Sequence, residues 1–136
     1  MPIILDASVA LAWCFEDEAT PYASRVLDLL AADSAVVPPI WPLEIANAIL
    51  TAERRQRLEA AAGSRFVELL HALPIRLDEA SLDRALRDVL NVARERRLSS
   101  YDASYLELAM REGLPLATAD ERLASAARAA GVELVQ

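Results

Sequence analysis

The chain has 136 residues, 54% of them hydrophobic, enough to fill one core, so a single domain over residues 1–136 is expected. Its 14 basic residues against 21 Asp and Glu leave a net charge of −7, which excludes a broad basic surface for holding nucleic acid; any such contact must be local. All 14 are arginines, which excludes Schiff-base and P-loop lysine chemistry, and the single cysteine, Cys14, excludes an intrachain disulfide.

Pro2-Ile3-Ile4-Leu5 is a short continuous apolar run that gives way at Asp6-Ala7-Ser8 to helix-forming residues, the pattern of a buried parallel strand feeding a helix. No basic leader precedes it and no long uncharged stretch follows, so the expected location is cytoplasmic. Cys14, inside the apolar run Val9 to Phe15, is expected to be a buried, inert thiol. Apolar positions at helical spacing predict a helix from about Thr20 to Ala32, and Ala35-Val36-Val37 a second strand. After the Pro38-Pro39 and Pro42 turn, Leu43, Ala46, Ile49 and Leu50 mark one face of a helix that also carries Glu44 and Asn47.

A helix from roughly Glu59 to His71 then precedes a short Ile75-Arg76-Leu77 strand, and Glu79 to Arg97 reads as a longer amphipathic helix. Tyr101 to Arg111 is helical by its Ala103, Leu106, Ala109 and Met110 spacing, with Gly113 placed as a C-terminal cap. Leu114 to Ala117 is the next strand, Thr118-Ala119-Asp120 opens a last helix ending near Gly131, and Val132 to Val135 closes as an edge strand. Strands alternating with helices predict an α/β layered fold with a mostly parallel sheet and right-handed crossovers, in which ligands bind at the carboxyl ends of strands.

Four acids stand at strand ends or in first helical turns: Asp6 and Asp120 after strands, Glu44 and Asp102 at helix starts, each beside small residues. Each has an ordinary reading when taken alone. Asp6 caps a helix, Glu44 is an exposed first-turn acid favoured by the helix dipole, Ser99 to Asp102 forms a capping box with Asp in place of Glu, and Thr118 to Glu121 forms a regular one. Taken together, clustered carboxylates at neutral pH call for a hard cation, Mg²⁺ or Mn²⁺.

In order and spacing, Asp6-Ala7-Ser8 after an apolar strand, Glu44 with Asn47 on a helix, Tyr101-Asp102-Ala103, and Thr118-Ala119-Asp120 resemble the PIN-domain signature over nearly the whole chain, most closely that of VapC toxins of toxin–antitoxin pairs. The resemblance implies a PIN-like three-layer α/β/α fold with a short, mostly parallel central sheet flanked by helices, and a metal-dependent endoribonuclease whose Asp6, Glu44, Asp102 and Asp120 hold Mg²⁺ or Mn²⁺. Ser8 and Thr118 match hydroxyl positions that organise the site, and Asn47 matches a supporting polar position; Glu121 either joins them or is a solvated helix acid. A cognate antitoxin, docking on the apolar surface of the early helices, and a homodimer are implied as partners. The competing reading is a catalytically degenerate PIN domain serving as a scaffold.

Metal-assisted hydrolysis would leave 5′-phosphate ends and needs no histidine, which suits a chain whose only one, His71, falls at a helix end. Arg54, Arg55, Arg57, Arg94, Arg96 and Arg97 are candidates for phosphate contact, although Glu53 and Glu95 interrupt them as on a solvated helix face. Trp13 and Trp41 sit in apolar contexts that favour packing over base stacking.

Overall fold

A computed structural model describes residues 1–136. Four strands, β1 (Ile3–Leu5), β2 (Ala35–Val37), β3 (Ile75–Leu77) and β4 (Leu116–Ala117), form one all-parallel sheet in the order β3-β2-β1-β4. β1, β2 and β4 are wholly buried, the environment their uninterrupted apolar runs demand, whereas the edge strand β3 exposes Arg76 and Leu77.

From β1 the chain moves outward through α1 (Ala7–Ala12) and α2 (Pro21–Leu29) to β2, and through α3 (Trp41–Arg54) and α4 (Ala60–Ala72) to β3. It then returns past α5 (Leu90–Arg96) and α6 (Ser100–Glu112) to β4 on the other side of β1, and ends beyond α7 (Glu121–Ala129). Right-handed crossovers running in opposite directions across one sheet place the two sets of helices on opposite faces, giving an α/β/α sandwich. In agreement, α1 packs on α2 and α3, while α6 packs on α5, α7, β1 and β4. The direction of winding reverses between β1 and β4, and in open parallel sheets the crevice beyond such a switch point is where ligands bind.

Local caps match the residues present. Thr20 accepts the Ala23 N–H at 3.0 Å to start α2, and Gly113 ends α6 at φ +65°, a left-handed conformation that costs glycine nothing. Trp13 donates its indole N–H to the Ala23 carbonyl at 2.8 Å and Trp41 is buried, so both tryptophans pack. Cys14 is partly rather than fully buried, and burial raises its thiol pKa. His71 lies exposed in the last turn of α4, and no helix is long and apolar enough to cross a membrane.

Three expectations need correction. The long helix begins near Leu82, not Glu79, because Ser81 accepts the Arg84 N–H at 3.0 Å, and its Arg84–Val89 stretch is π-helical before α5 continues it. That element has no fully buried residue; Leu82 and Leu86 are 78% and 61% exposed, so its apolar stripe does not all face the core. The final strand reduces to one parallel bridge between Leu134 and Leu116, with Leu116 donating to Glu133 and accepting from Val135 at 2.9 Å each.

A buried charge network ties the two ends of this layer. Glu107 on α6 is 7% exposed and accepts from Arg111 at 2.8 Å, and Arg111 also binds Asp78 after β3 at 2.8 Å. Arg84 adds its charge 3.9 Å from Glu107. Arg111→Met is expected to lower stability by roughly 3 kcal/mol, because it strands the buried Glu107 carboxylate. Urea denaturation checks this; an unchanged midpoint would show the network to be energetically idle.

Candidate active site

The β1–β4 register builds the centre of the site. Leu5 pairs with Ala117, so the next residue on each strand, Asp6 and Thr118, emerge side by side, and the Asp6 N–H reaches the Ala117 carbonyl at 2.9 Å. Asp6 is only 6% exposed. It occupies the N-cap position of α1 but caps nothing with its side chain; instead its Oδ2 accepts the hydroxyls of Ser8 and Thr118, each at 2.7 Å.

Ser8 in turn accepts the Ala119 N–H at 3.1 Å, and Thr118 accepts the Asp120 N–H at 3.0 Å, stitching the α1 start to the β4–α7 turn. The expected capping box from Thr118 to Glu121 is therefore not formed. Asp120 is the N-cap of α7, its Oδ1 accepting from Arg122 and Leu123 backbone N–H groups, while Thr118 turns inward to Asp6. Glu121 points away and binds Arg128 at 2.6 Å, the behaviour of a solvated helix acid.

Glu44 and Asp102 come from the first turns of α3 and α6. Ser99 accepts the Asp102 N–H at 3.1 Å, the N-cap half of the expected capping box; the Asp102 carboxylate turns to the cavity instead of back to the Ser99 N–H. Glu44 is part-buried and held by Tyr105, whose wholly buried phenol donates to Oε1 at 2.5 Å and accepts the Ala7 N–H at 3.3 Å. Tyr105 thus links three elements of the site. Its place three residues after Asp102, on the same helix face, was the available signal.

Asp6, Ser8, Glu44, Asn47, Asp102 and Asp120 line one cavity of about 510 Å³, together with Leu11, Ile40, Leu43 and Tyr101. No arginine or histidine lines it. Burial raises the pKa of Asp6, opposed by the Thr118 and Ser8 hydroxyls and reinforced by the charge of Asp120. Burial likewise raises Glu44, which Tyr105 counteracts and Asp6 and Asp102 reinforce. Asp102 is raised by burial and then by Asp120 and Asp6, while Arg122 and the Ser99 hydroxyl act against the shift. The carboxylates thus share one field without a cation among the cavity-lining side chains.

An all-oxygen, acid-rich donor set fits a hard divalent cation, with Asp6, Glu44, Asp102 and Asp120 the residues able to hold it. They are not closed into a ligand shell: no group of three or more His, Cys, Asp or Glu side chains has the arrangement of a formed metal site.

The arginines divide clearly. Arg57 lies over the Phe15 ring and pairs with Asp17 and Glu18, so it is engaged in holding the loops around α1 and α3. Arg54, Arg55, Arg94, Arg96 and Arg97 do not line the cavity. Arg122, which the sequence did not single out, stands near enough for its charge to act on Asp102, and is steadied by a 2.9 Å hydrogen bond to the Arg97 carbonyl.

The family model described as PIN domain matches residues 3–129. The chain belongs to the PIN-domain family. Among curated relatives, this PIN domain is 33% identical over 128 residues to a VapC ribonuclease of Mycobacterium bovis and equally to ribonuclease VapC9 of Mycobacterium tuberculosis, covering 93% of this chain and 92% of each relative. Among solved structures it is similar to PAE2754 from Pyrobaculum aerophilum, with TM-score 0.72, 26% identity, and coverage of 93% of this chain and 84% of that one. The fold is also that of VapBC2 from Rickettsia felis, solved bound to a DNA fragment from their promoter, at TM-score 0.68 and 12% identity over 99% of this PIN domain and 98% of the other chain.

Proposed function

We propose that this PIN domain is a Mg²⁺-dependent endoribonuclease toxin, Mn²⁺ being an alternative cation, that hydrolyses RNA phosphodiester bonds at the cavity holding Asp6, Glu44, Asp102 and Asp120. The observation that carries the reading is the convergence of four carboxylates from four separate parts of the fold on one wall that has no basic side chain. The ribonuclease names of the curated relatives support the same reaction class.

A hard divalent cation, when bound there, supplies Lewis-acid stabilisation of charge developing on the scissile phosphate. The chain's own groups set the geometry. Ser8 and Thr118 fix the Asp6 carboxylate by two short hydroxyl donors, Tyr105 aims Glu44, and Asn47 offers a neutral amide at the cavity wall. Arg122 is assigned a contact to the RNA backbone, for which its fork of donors is suited.

A cognate antitoxin is the expected protein partner, by analogy with the VapBC complexes of the same fold. Exposed Leu43 and Leu50 flank Asn47 on one stripe of α3 beside the cavity, an apolar surface suited to a partner segment. A homodimer completes the reading, measurable by sedimentation.

The test is digestion of total RNA in Mg²⁺, Mn²⁺ and EDTA with mapping of product ends, alongside thermal unfolding. Cleavage that EDTA abolishes, leaving 5′-phosphates, is expected. Cation at about 100 times its Kd should stabilise the fold by roughly 2.7 kcal/mol. Metal-independent cutting or cyclic-phosphate ends would overturn the mechanism, and no cleavage with no metal-induced Tm shift would favour a scaffold.

A further inference from the structure

A second cavity adjoins the acidic one. It encloses about 420 Å³, within the ordinary range for small-ligand sites of roughly 300–1,000 Å³, and shares Ile40 and Tyr101 with the first as a common wall. Tyr101 immediately precedes Asp102, yet its own side chain is 58% exposed. Its backbone is pinned: the Ser104 hydroxyl donates to the Tyr101 carbonyl at 2.5 Å, one turn further along α6. The ring is therefore an exposed aromatic face on a fixed helical backbone, beside four carboxylates.

The rest of this second cavity says what class of group it accepts. Pro38, Pro39, Leu86 and Val89 give it apolar surface, and Leu86 is 61% exposed on the π-helical turn. The two arginines on its wall are balanced in charge by Asp78 and Glu107 on the same wall: Arg111 binds both at 2.8 Å, and Arg84 stands 3.9 Å from Glu107. Ser100 adds a hydroxyl. A neutral group with flat apolar faces and a polar edge fits this lining, whereas a phosphate does not.

We propose that this cavity is a nucleobase subsite, in which Tyr101 stacks on the base next to the scissile phosphate of a single-stranded RNA. Tyr101 lines both cavities, so a base against its ring sits next to a backbone phosphate bound in the acidic one. Single-stranded RNA bases are commonly held by stacking on aromatic side chains. Tyr101 is here a positioning and specificity residue. The inference rests on the ribonuclease reading, but its test does not depend on turnover.

The experiment measures fluorescence anisotropy of a short labelled single-stranded RNA with the protein in Ca²⁺, for the intact strand and for a series with one abasic position each. Wild type, Tyr101→Ala and Tyr101→Phe are compared, with circular dichroism to confirm folding. One abasic position is expected to weaken wild-type binding by roughly 5- to 150-fold, the range for one base–aromatic stack. Tyr101→Ala should weaken the intact strand by a similar factor and erase that abasic penalty, and Tyr101→Phe should preserve both.

An abasic penalty equal in wild type and Tyr101→Ala, or none at any position, would overturn the subsite and assign this face to a protein partner instead. RNA binding that depends on Tyr101 without cleavage in Mg²⁺ would keep the subsite and reject only the catalytic reading. No RNA binding by wild type would reject both.

Discussion

Asp102→Asn is expected to reduce RNA cleavage at least roughly 10³-fold, about 4 kcal/mol of transition-state stabilisation, while leaving the metal-free protein no less stable. The two halves of this result have one cause. Asp102 is driven towards its neutral form by burial and by the charges of Asp120 and Asp6, so its ionised form is disfavoured in the folded protein relative to the unfolded chain. An acid whose folded pKa is raised contributes most to stability when protonated, below its unfolded pKa. That contribution is lost as pH rises through the folded pKa.

Asp6 and Glu44 are shifted the same way, so the protein in EDTA should lose stability as pH rises from about 4 through the raised pKa values of these acids. Asparagine keeps the shape of Asp102 and removes the charge, so the EDTA form should unfold at an equal or higher temperature than wild type. Thermal melts across pH in EDTA, beside a cleavage assay in Mg²⁺, check both halves. A variant that cleaves RNA at the wild-type rate would remove Asp102 from the machinery, and one with a markedly lower Tm would assign it a structural role.

Tyr105→Phe should cost both activity and stability. The phenol is the donor that aims Glu44 and the acceptor for the Ala7 N–H, inside a helix face with no solvent access. Phenylalanine fills the same space but leaves a buried N–H without a partner, a loss of about 1–3 kcal/mol. Groups that orient metal-binding carboxylates typically contribute 10- to 100-fold, and that is the expected fall in kcat/KM. Chemical denaturation and a cleavage assay separate the effects. A variant that loses stability but cleaves normally would leave the phenol as core support alone.

Much of the site was legible because its residues are bound to strand ends and helix starts. The apolar Ile3-Ile4-Leu5 run followed by Asp6 predicts a buried strand whose carboxyl end carries an acid, and the sheet register bears this out. Ser99 and Gly113 bracket α6 as their residue types imply. What the sequence hid were tertiary choices. Thr118 had two readings, a helix cap or a hydroxyl organising the site; its hydroxyl donates to Asp6, 112 residues away, a partner that no local pattern names.

The spacing of Tyr105 from Asp102 puts both on one face of α6, but the partner of its hydroxyl, Glu44, lies 61 residues away and leaves no local trace. Arg122, isolated from the arginine runs, gains its place only from the turn that Asp120 caps. The π-helical stretch has no sequence signature of its own, and its exposed Leu82 and Leu86 mimic a core stripe.

The pairing of β1 with β4 has a consequence for synthesis. Asp6 leaves the ribosome more than a hundred residues before Ala117 and Thr118, which hold it by backbone and hydroxyl. A nascent or prematurely ended chain that stops before β4 carries Asp6, Glu44 and Asp102 without the strand that brings Asp6 and Asp120 to one place. Vectorial production of the polypeptide therefore withholds the complete carboxylate cluster until β4 and the turn after it have been made.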